Sequence, residues 1–364
     1  MLTAKNRDDL EIKGYTIIEN AVPDHAQLRD EFFDWMSHHF KNGSAPYSVH
    51  SIVRHYGIGY LEPAWAVRLQ VKKYFTQLWG TEQLLTSVDA VAIGQPPELG
   101  VEEFDNDSNH WLHVDQCAAR LGLHAYQGAV YLETAEEEDW TFEVLEGSHQ
   151  HLETFYGRND KAKIRSVNTG LWRMRDEDIR WYESLGCSRR RVPARAGDLL
   201  LWDSRLVHAN ARPKQGRQHH DRWRLVVLVC MGPAAFSTKE DMAKKRRAYK
   251  EMLMTAHWPS DDVGIMENYL PSYATQPEPK HSVTLPEVAK STEVKQLVGA
   301  TPYKVSPKSK VPAGRPKWDP TLRPDMAKRT AKMYSGENCG AQLKSLLLLL
   351  TALIVMCLCW NSLH

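Results

Sequence analysis

The sequence predicts a mainly β domain with flanking helices, an antiparallel sandwich or open barrel, followed by a linker and an apolar tail. Three observations carry this. Between residues 84 and 230 the chain breaks into short runs of period-two or continuous apolar character, separated by Gly, Pro and polar turns. Ahead of that region, apolar residues recur at helical spacing. Behind it, from about Pro271, Pro, Lys, Ser and Thr accumulate while aromatic residues thin out, a composition that builds no second core. A chain of 364 residues, 42% hydrophobic and 25% charged, buries one large domain with residues to spare.

The first element is a short strand within residues 11–20, entered after Gly14. Val22-Pro23-Asp24 punctuates it, and Leu28, Phe32, Trp35 and Met36 then set out one face of a helix reaching about Phe40. Pro63 suits the opening turn of a second helix, with Val67, Val71, Phe75 and Leu78 as its core face. Strands are expected at 87–93, 111–115, 125–132, 141–145, 198–202 and 224–230. Asp176 caps a helix running through Ile179, Trp181, Tyr182 and Leu185, which Gly186 closes. Ser237 and Glu240 have capping-box spacing for a later one. The domain boundaries expected are 1–280, a linker over 281–344 and an apolar tail helix over 345–361.

Net charge is +1, from 46 Lys and Arg against 45 Asp and Glu, so no global field draws the chain to nucleic acid, and no nucleic-acid partner is expected. Lys244-Lys245-Arg246-Arg247 reads as a solvated helix face. The six cysteines have neither zinc-ligand spacing nor disulfide-framework density, which fits a reducing compartment. The N-terminus lacks an apolar signal core, so the chain is expected to begin in the cytosol. Residues 346–360 are apolar apart from Thr351 and are preceded by Lys344. As a helix they span about 22 Å against a hydrocarbon core of about 30 Å, a marginal length that favours a membrane tail anchor with the folded domain in the cytosol. The alternative is a soluble cytoplasmic chain whose apolar helix docks on protein.

Chemistry centres on His110-Trp111-Leu112-His113-Val114-Asp115-Gln116. In a strand, i and i+2 share a side, so His113 and Asp115 present an imidazole and a carboxylate together. With 16 histidines a His-x-Asp triplet arises about once by chance, and a second stands at His219 and Asp221, but in a polar turn. A second informative stretch runs from Gly197-Asp198 through Leu199-Leu200-Leu201-Trp202 to His208. If the sheet curls, His208 joins His113 and Asp115 as two nitrogens and one oxygen on one side of a metal. That facial set suits non-haem Fe(II), with positions left for a co-substrate and O₂. Trp111, Trp140, Trp172 and Trp202 are candidates for a cleft or for core, and His149 and His151 for a weaker ligand pair.

His113-Val114-Asp115, then Leu145-Glu146-Gly147-Ser148-His149, then the Gly197 to His208 stretch, then Arg222-Trp223-Arg224-Leu225-Val226-Val227, resemble in order the motifs of the phytanoyl-CoA dioxygenase family. The likeness covers about residues 10–235 and implies a double-stranded β-helix, the cupin-like jelly roll, working with Fe(II), 2-oxoglutarate and O₂. It implies His113, Asp115 and His208 as catalytic iron ligands, and an arginine opening the strand after the distal histidine as the grip on 2-oxoglutarate. Arg222 and Arg224 share strand parity; Arg224 is favoured because an unbroken apolar strand follows it, and a guanidinium fork suits a carboxylate. Asn210 is expected to donate its amide to the same co-substrate. Glu146 stands where the family often has proline, a change to a turn. The retained carboxylate Asp115 points to hydroxylation, since halogenating relatives lack it. The implied substrate is a small molecule or lipid; the rival reading is a membrane-tethered binding protein that kept the barrel and lost turnover.

Overall fold

In the computed structural model the described residues are 1–40, 45–106, 110–266, 284–303, 316–319, 321 and 322. The strands are β1 (Tyr15–Ile18), β2 (Ile52–Val53), β3 (Leu84–Thr86), β4 (Val91–Gly94), β5 (His113–Val114), β6 (Arg120–Leu121), β7 (Tyr126–Tyr131) and β8 (Thr141–Glu146). They continue as β9 (Trp172–Arg173), β10 (Ser188–Val192), β11 (Leu199–Asp203), β12 (His208–Ala211), β13 (Arg224–Pro233), β14 (Met254–Thr255), β15 (Ile265–Met266) and β16 (Lys317–Trp318). The α-helices are α1 (Ala4–Ile12), α2 (His25–His39), α3 (Glu62–Trp79), α4 (Leu152–Arg158), α5 (Asp160–Thr169), α6 (Asp176–Ser184), α7 (Lys239–Glu251) and α8 (Thr292–Leu297).

Two antiparallel sheets face each other. The larger runs β1-β11-β7-β13-β4-β2, with β3 on the far end of β13; the smaller runs β10-β8-β12-β5-β9. Eight of these strands, taken in chain order as β4, β5, β7, β8, β10, β11, β12 and β13, pass between the sheets in the winding of a jelly roll. The order explains why the expected strands were short and widely separated: each is paired with strands remote in sequence.

Period-two patterning decides which residues face the barrel interior. On β11, Leu199 and Leu201 turn outward to a core shared with Leu28 and Phe32 of α2 and Val67, Val71 and Phe75 of α3. Leu200 and Trp202 turn inward beside Phe142, Val144 and Val226. On the smaller sheet, Leu112, Val114, Val207 and Ala209 face outward to Phe155, Tyr156, Ile179 and Tyr182 on α4 and α6. Their neighbours His113 and His208 therefore point into the barrel. Among the described residues, Cys117, Cys187 and Cys230 are buried.

Several boundaries differ from expectation for identifiable reasons. Residues 11 and 12 end α1, which Thr3 caps through a reciprocal pairing with Asn6, and the strand begins after Gly14. The later capping box is Thr238 with Asp241, one residue beyond the expected Ser237 and Glu240. The edge strand β10 carries three consecutive arginines, so its pattern gives no apolar alternation; it is held by its pairing with β8 and by Arg189 on Glu143 at 2.7 Å. Within the expected linker, α8 buries Val294 and Leu297 completely, and β16 pairs with β6. The fold therefore continues past 280. The apolar tail over 345–361 lies outside the described residues; among those described, no helix is long and apolar enough to cross a membrane.

Candidate metal centre and active site

The turn after β11 carries the chain from one sheet to the other. Arg205 grips Asp203 through two nitrogens, at 2.9 and 2.6 Å, and Ser148 Oγ accepts the Val207 amide at 2.9 Å. Ser148 comes from the Glu146-Gly147-Ser148-His149 turn, where Gly147 has φ +85. His149 is consumed by the same structure, its Nε2 lying 3.0 Å from the Glu11 carbonyl, and takes no part in the cavity. Once across, β12 pairs with β5 so that His208 lies directly opposite His113. This one register match joins the two motifs.

His113, Asp115 and His208 are all buried, and one ligand atom from each lies within 4.8 Å of the other two. Asp115 Oδ1 is 3.4 Å from His113 Nε2, and its Oδ2 is 3.5 Å from His208 Nε2. Each imidazole sets its Nδ1 against a backbone carbonyl, Trp111 O at 3.0 Å and Leu206 O at 2.9 Å. A carbonyl only accepts, so Nδ1 carries the proton and Nε2 turns its lone pair to the centre. Burial, followed by the neighbouring His113, pushes His208 down to about 4, which keeps it neutral near pH 7. Burial alone would raise the Asp115 carboxyl, but His257, His113 and His208 together hold it well below the ordinary carboxylate range. Two imidazoles that turn Nε2 inward and one carboxylate, on one side of a buried point, are a donor set that fits Fe(II).

The triad opens on a cavity of about 740 Å³ that Arg224, Asn210, Gln127 and His257 also line. Arg224 is 3% exposed and has no carboxylate partner among the described residues. Its NH2 donates to Asn210 Oδ1 at 2.8 Å, its NH1 to the Trp140 carbonyl at 3.2 Å, and its Nε has no partner. A buried cation with spare donors facing a cavity is a socket for an anion.

Arg222 differs, although it shares strand parity. It precedes β13, lies outside the cavity lining, and places its guanidinium on Asp139 at 2.6 Å. That ion pair and its place outside the lining set Arg222 apart from Arg224. Asn210 also departs from expectation: a guanidinium has no acceptor, so the amide oxygen must face Arg224, and the amide nitrogen is donated to the His50 carbonyl at 3.3 Å. It orients the arginine. Of the four tryptophans, Trp111, Trp172 and Trp202 line the cavity, whereas Trp140 is core, with its Nε1 on the Gln95 carbonyl at 3.0 Å.

Two site residues were invisible in the sequence. Gln127 donates to Asp115 Oδ2 at 3.0 Å; it sits in a strand among apolar residues, and only its inward parity on β7 hinted at a role. His257 brings a buried, unpartnered Nε2 to 3.9 Å from Asp115 Oδ2. It lies in the loop between β14 and β15, which Trp258 and Trp318 clamp by sandwiching Arg120 at 3.6 and 4.3 Å. No local pattern announces that contact.

Fold and side chains together define a jelly roll with a candidate mononuclear metal centre of two histidines and one carboxylate, opening on a cavity with an anion socket. No family model matches the chain. A protein described as Ava biosynthesis cluster protein O, from Aspergillus versicolor, is 25% identical over 273 residues, covering 70% of this chain and 85% of that protein. Among solved structures, HygX from Streptomyces hygroscopicus with nickel and 2-oxoglutarate bound is similar over 66% of this chain and 90% of that one, at 17% identity and a TM-score of 0.41. EctD from S. alaskensis with 2-oxoglutarate and 5-hydroxyectoine is similar over 64% and 77%, at 12% identity and a TM-score of 0.42.

Proposed function

We propose that this chain is a non-haem Fe(II)- and 2-oxoglutarate-dependent dioxygenase that hydroxylates a small-molecule or lipid-like substrate. The observation that carries the reading is the presence, in one cavity, of the His113-Asp115-His208 face and a buried Arg224 that pairs with no carboxylate among the described residues. His113, Asp115 and His208 hold the iron, and Arg224 holds the far carboxylate of 2-oxoglutarate. When bound, iron with 2-oxoglutarate and O₂ supplies an oxidative decarboxylation to succinate and CO₂ coupled to hydroxylation of a C–H bond.

The chain's own contribution is placement and exclusion of water. The Trp111 and Leu206 carbonyls keep both Nε2 atoms unprotonated and turned inward. Gln127 holds Asp115 by one oxygen, and Asn210 aims Arg224. Phe142 and Trp202 wall the distal histidine, with ring centroids 5.5 and 5.2 Å away. Full-length protein purified without oxygen, then given Fe(II), 2-oxoglutarate and air, should release succinate. His208→Ala should abolish both this and Fe(II) binding. Succinate release equal in the two proteins would end the reading.

We infer further that residues 346–360 hold the protein on a membrane with the oxygenase domain in the cytosol. Their apolar length and Lys344, Lys328, Arg329 and Lys332 on the preceding side support this. Full-length protein should stay with membranes through high-salt and carbonate washes, and a chain ending at Gly340 should not. Recovery of both in the soluble fraction would make the tail a docking segment.

A further inference from the structure

The cavity has a rim that the dioxygenase reading leaves without a task. Lys161 and Arg165 line it from α5, one helical turn apart and both exposed. Like charges at that spacing repel each other, so the pair opposes the helix unless an anion joins them. Among the described residues neither has a carboxylate partner. Arg173 and Arg175 line the same wall. Two acids at the start of α6 are engaged: Glu177 accepts from Arg175 at 2.5 Å, and Asp176 lies 3.2 Å from His110 Nε2. Of the two carboxylates in the lining, Asp115 belongs to the metal face, and Asp89 is 4% exposed and accepts the Ala90 amide at 2.7 Å. The same cavity is also lined by the apolar side chains of Trp111, Leu171, Trp172 and Met174.

Cations at a mouth above apolar walls select an amphipathic anion. The low-dielectric wall strengthens their field, and the walls take the uncharged part. We propose that the substrate carries a carboxylate or phosphate that seats on Lys161 and Arg165 while its apolar body reaches past Trp172 toward the metal face. This rests on the cavity's being the active site of the oxygenase proposed above.

The test is calorimetric titration of full-length protein with decanoate, decyl phosphate and decanol, and separately with 2-oxoglutarate in the presence of Mn(II). The two anions should bind at least about tenfold more tightly than the alcohol, and the tighter of them identifies the head group. The double variant Lys161→Glu with Arg165→Glu should erase that preference and keep 2-oxoglutarate affinity, which also shows that it folds. Lys163→Glu, on the same helix but outside the cavity lining, should keep the preference. Equal binding of decanol overturns the proposal. So does a double variant that loses 2-oxoglutarate in parallel with decanoate, since the rim would then serve the co-substrate. Anion preference in a protein that binds no 2-oxoglutarate would support the rim and remove the oxygenase reading alone.

Discussion

Arg224 is a buried guanidinium with no carboxylate partner among the described residues, and its removal should be felt by the co-substrate before anything else. Arg224→Ala forfeits hydrogen bonds to a charged group, about 1.5–3 kcal/mol, so the 2-oxoglutarate KM should rise about tenfold to 150-fold while Fe(II) affinity holds. Arg224→Lys should recover only part, because an ammonium lacks the planar fork. Arg222→Ala should act elsewhere. It strips one partner from Asp139, which keeps Arg217 at 2.9 Å, so the thermal midpoint should fall and the KM stay. The opposite ranking, read from steady-state kinetics and melting curves, would move the role to Arg222.

At the scale of elements, the turn before β11 and the buried face of α7 each depend on one residue. Gly197 has φ +89, and a Cβ there would lie 2.8 Å from His25 Nδ1 and 2.9 Å from the Val22 carbonyl. Gly197→Ala should therefore cost about 1–3 kcal/mol in denaturant unfolding and loosen the strand that leads to His208. A cost below about 0.5 kcal/mol would show that the turn adapts. Lys245 of α7, read in the sequence as part of a solvated face, is instead 2% exposed and donates to the Thr86 carbonyl at 2.7 Å. Burial lowers its pKa from 10.5 to about 7. Between those two values the unfolded chain keeps a proton that the folded chain has released, so stability rises with pH through that window, by at most about 1.4 kcal/mol per unit. Lys245→Met should flatten the rise. Urea midpoints at pH 7 and 9.5 measure it, and an unchanged slope would place the titration elsewhere.

At the scale of the whole molecule, the domain closes with residues that come late in the chain. Leu297 is fully buried against the same core as α3 and β13. Leu297→Ala should cost about 2–5 kcal/mol, and a chain ending at residue 280 should unfold at lower urea than one ending at 303. Equal midpoints for the two truncations would make α8 an ornament on a domain complete without it.

Alternation and apolar runs in the sequence by themselves determined the strand-rich middle and the helices beginning near His25 and Glu62, because burial periodicity is local. The sequence also singled out His113, Asp115 and His208 as chemically coherent residue types in a recognisable order. That they share one point was decided by the β5–β12 register, a pairing across 95 positions that no local pattern encodes. Arg222 and Arg224 were indistinguishable by parity; Asp139, remote in sequence, separates them by taking one and leaving the other. Asn210 changed from a presumed donor to a support for the same reason, since what an amide does depends on which group the fold sets against it. His257, α8 and β16 emerged only in three dimensions. Their sequence is polar, proline-rich or short, and their place is fixed by contacts with a barrel that must already exist.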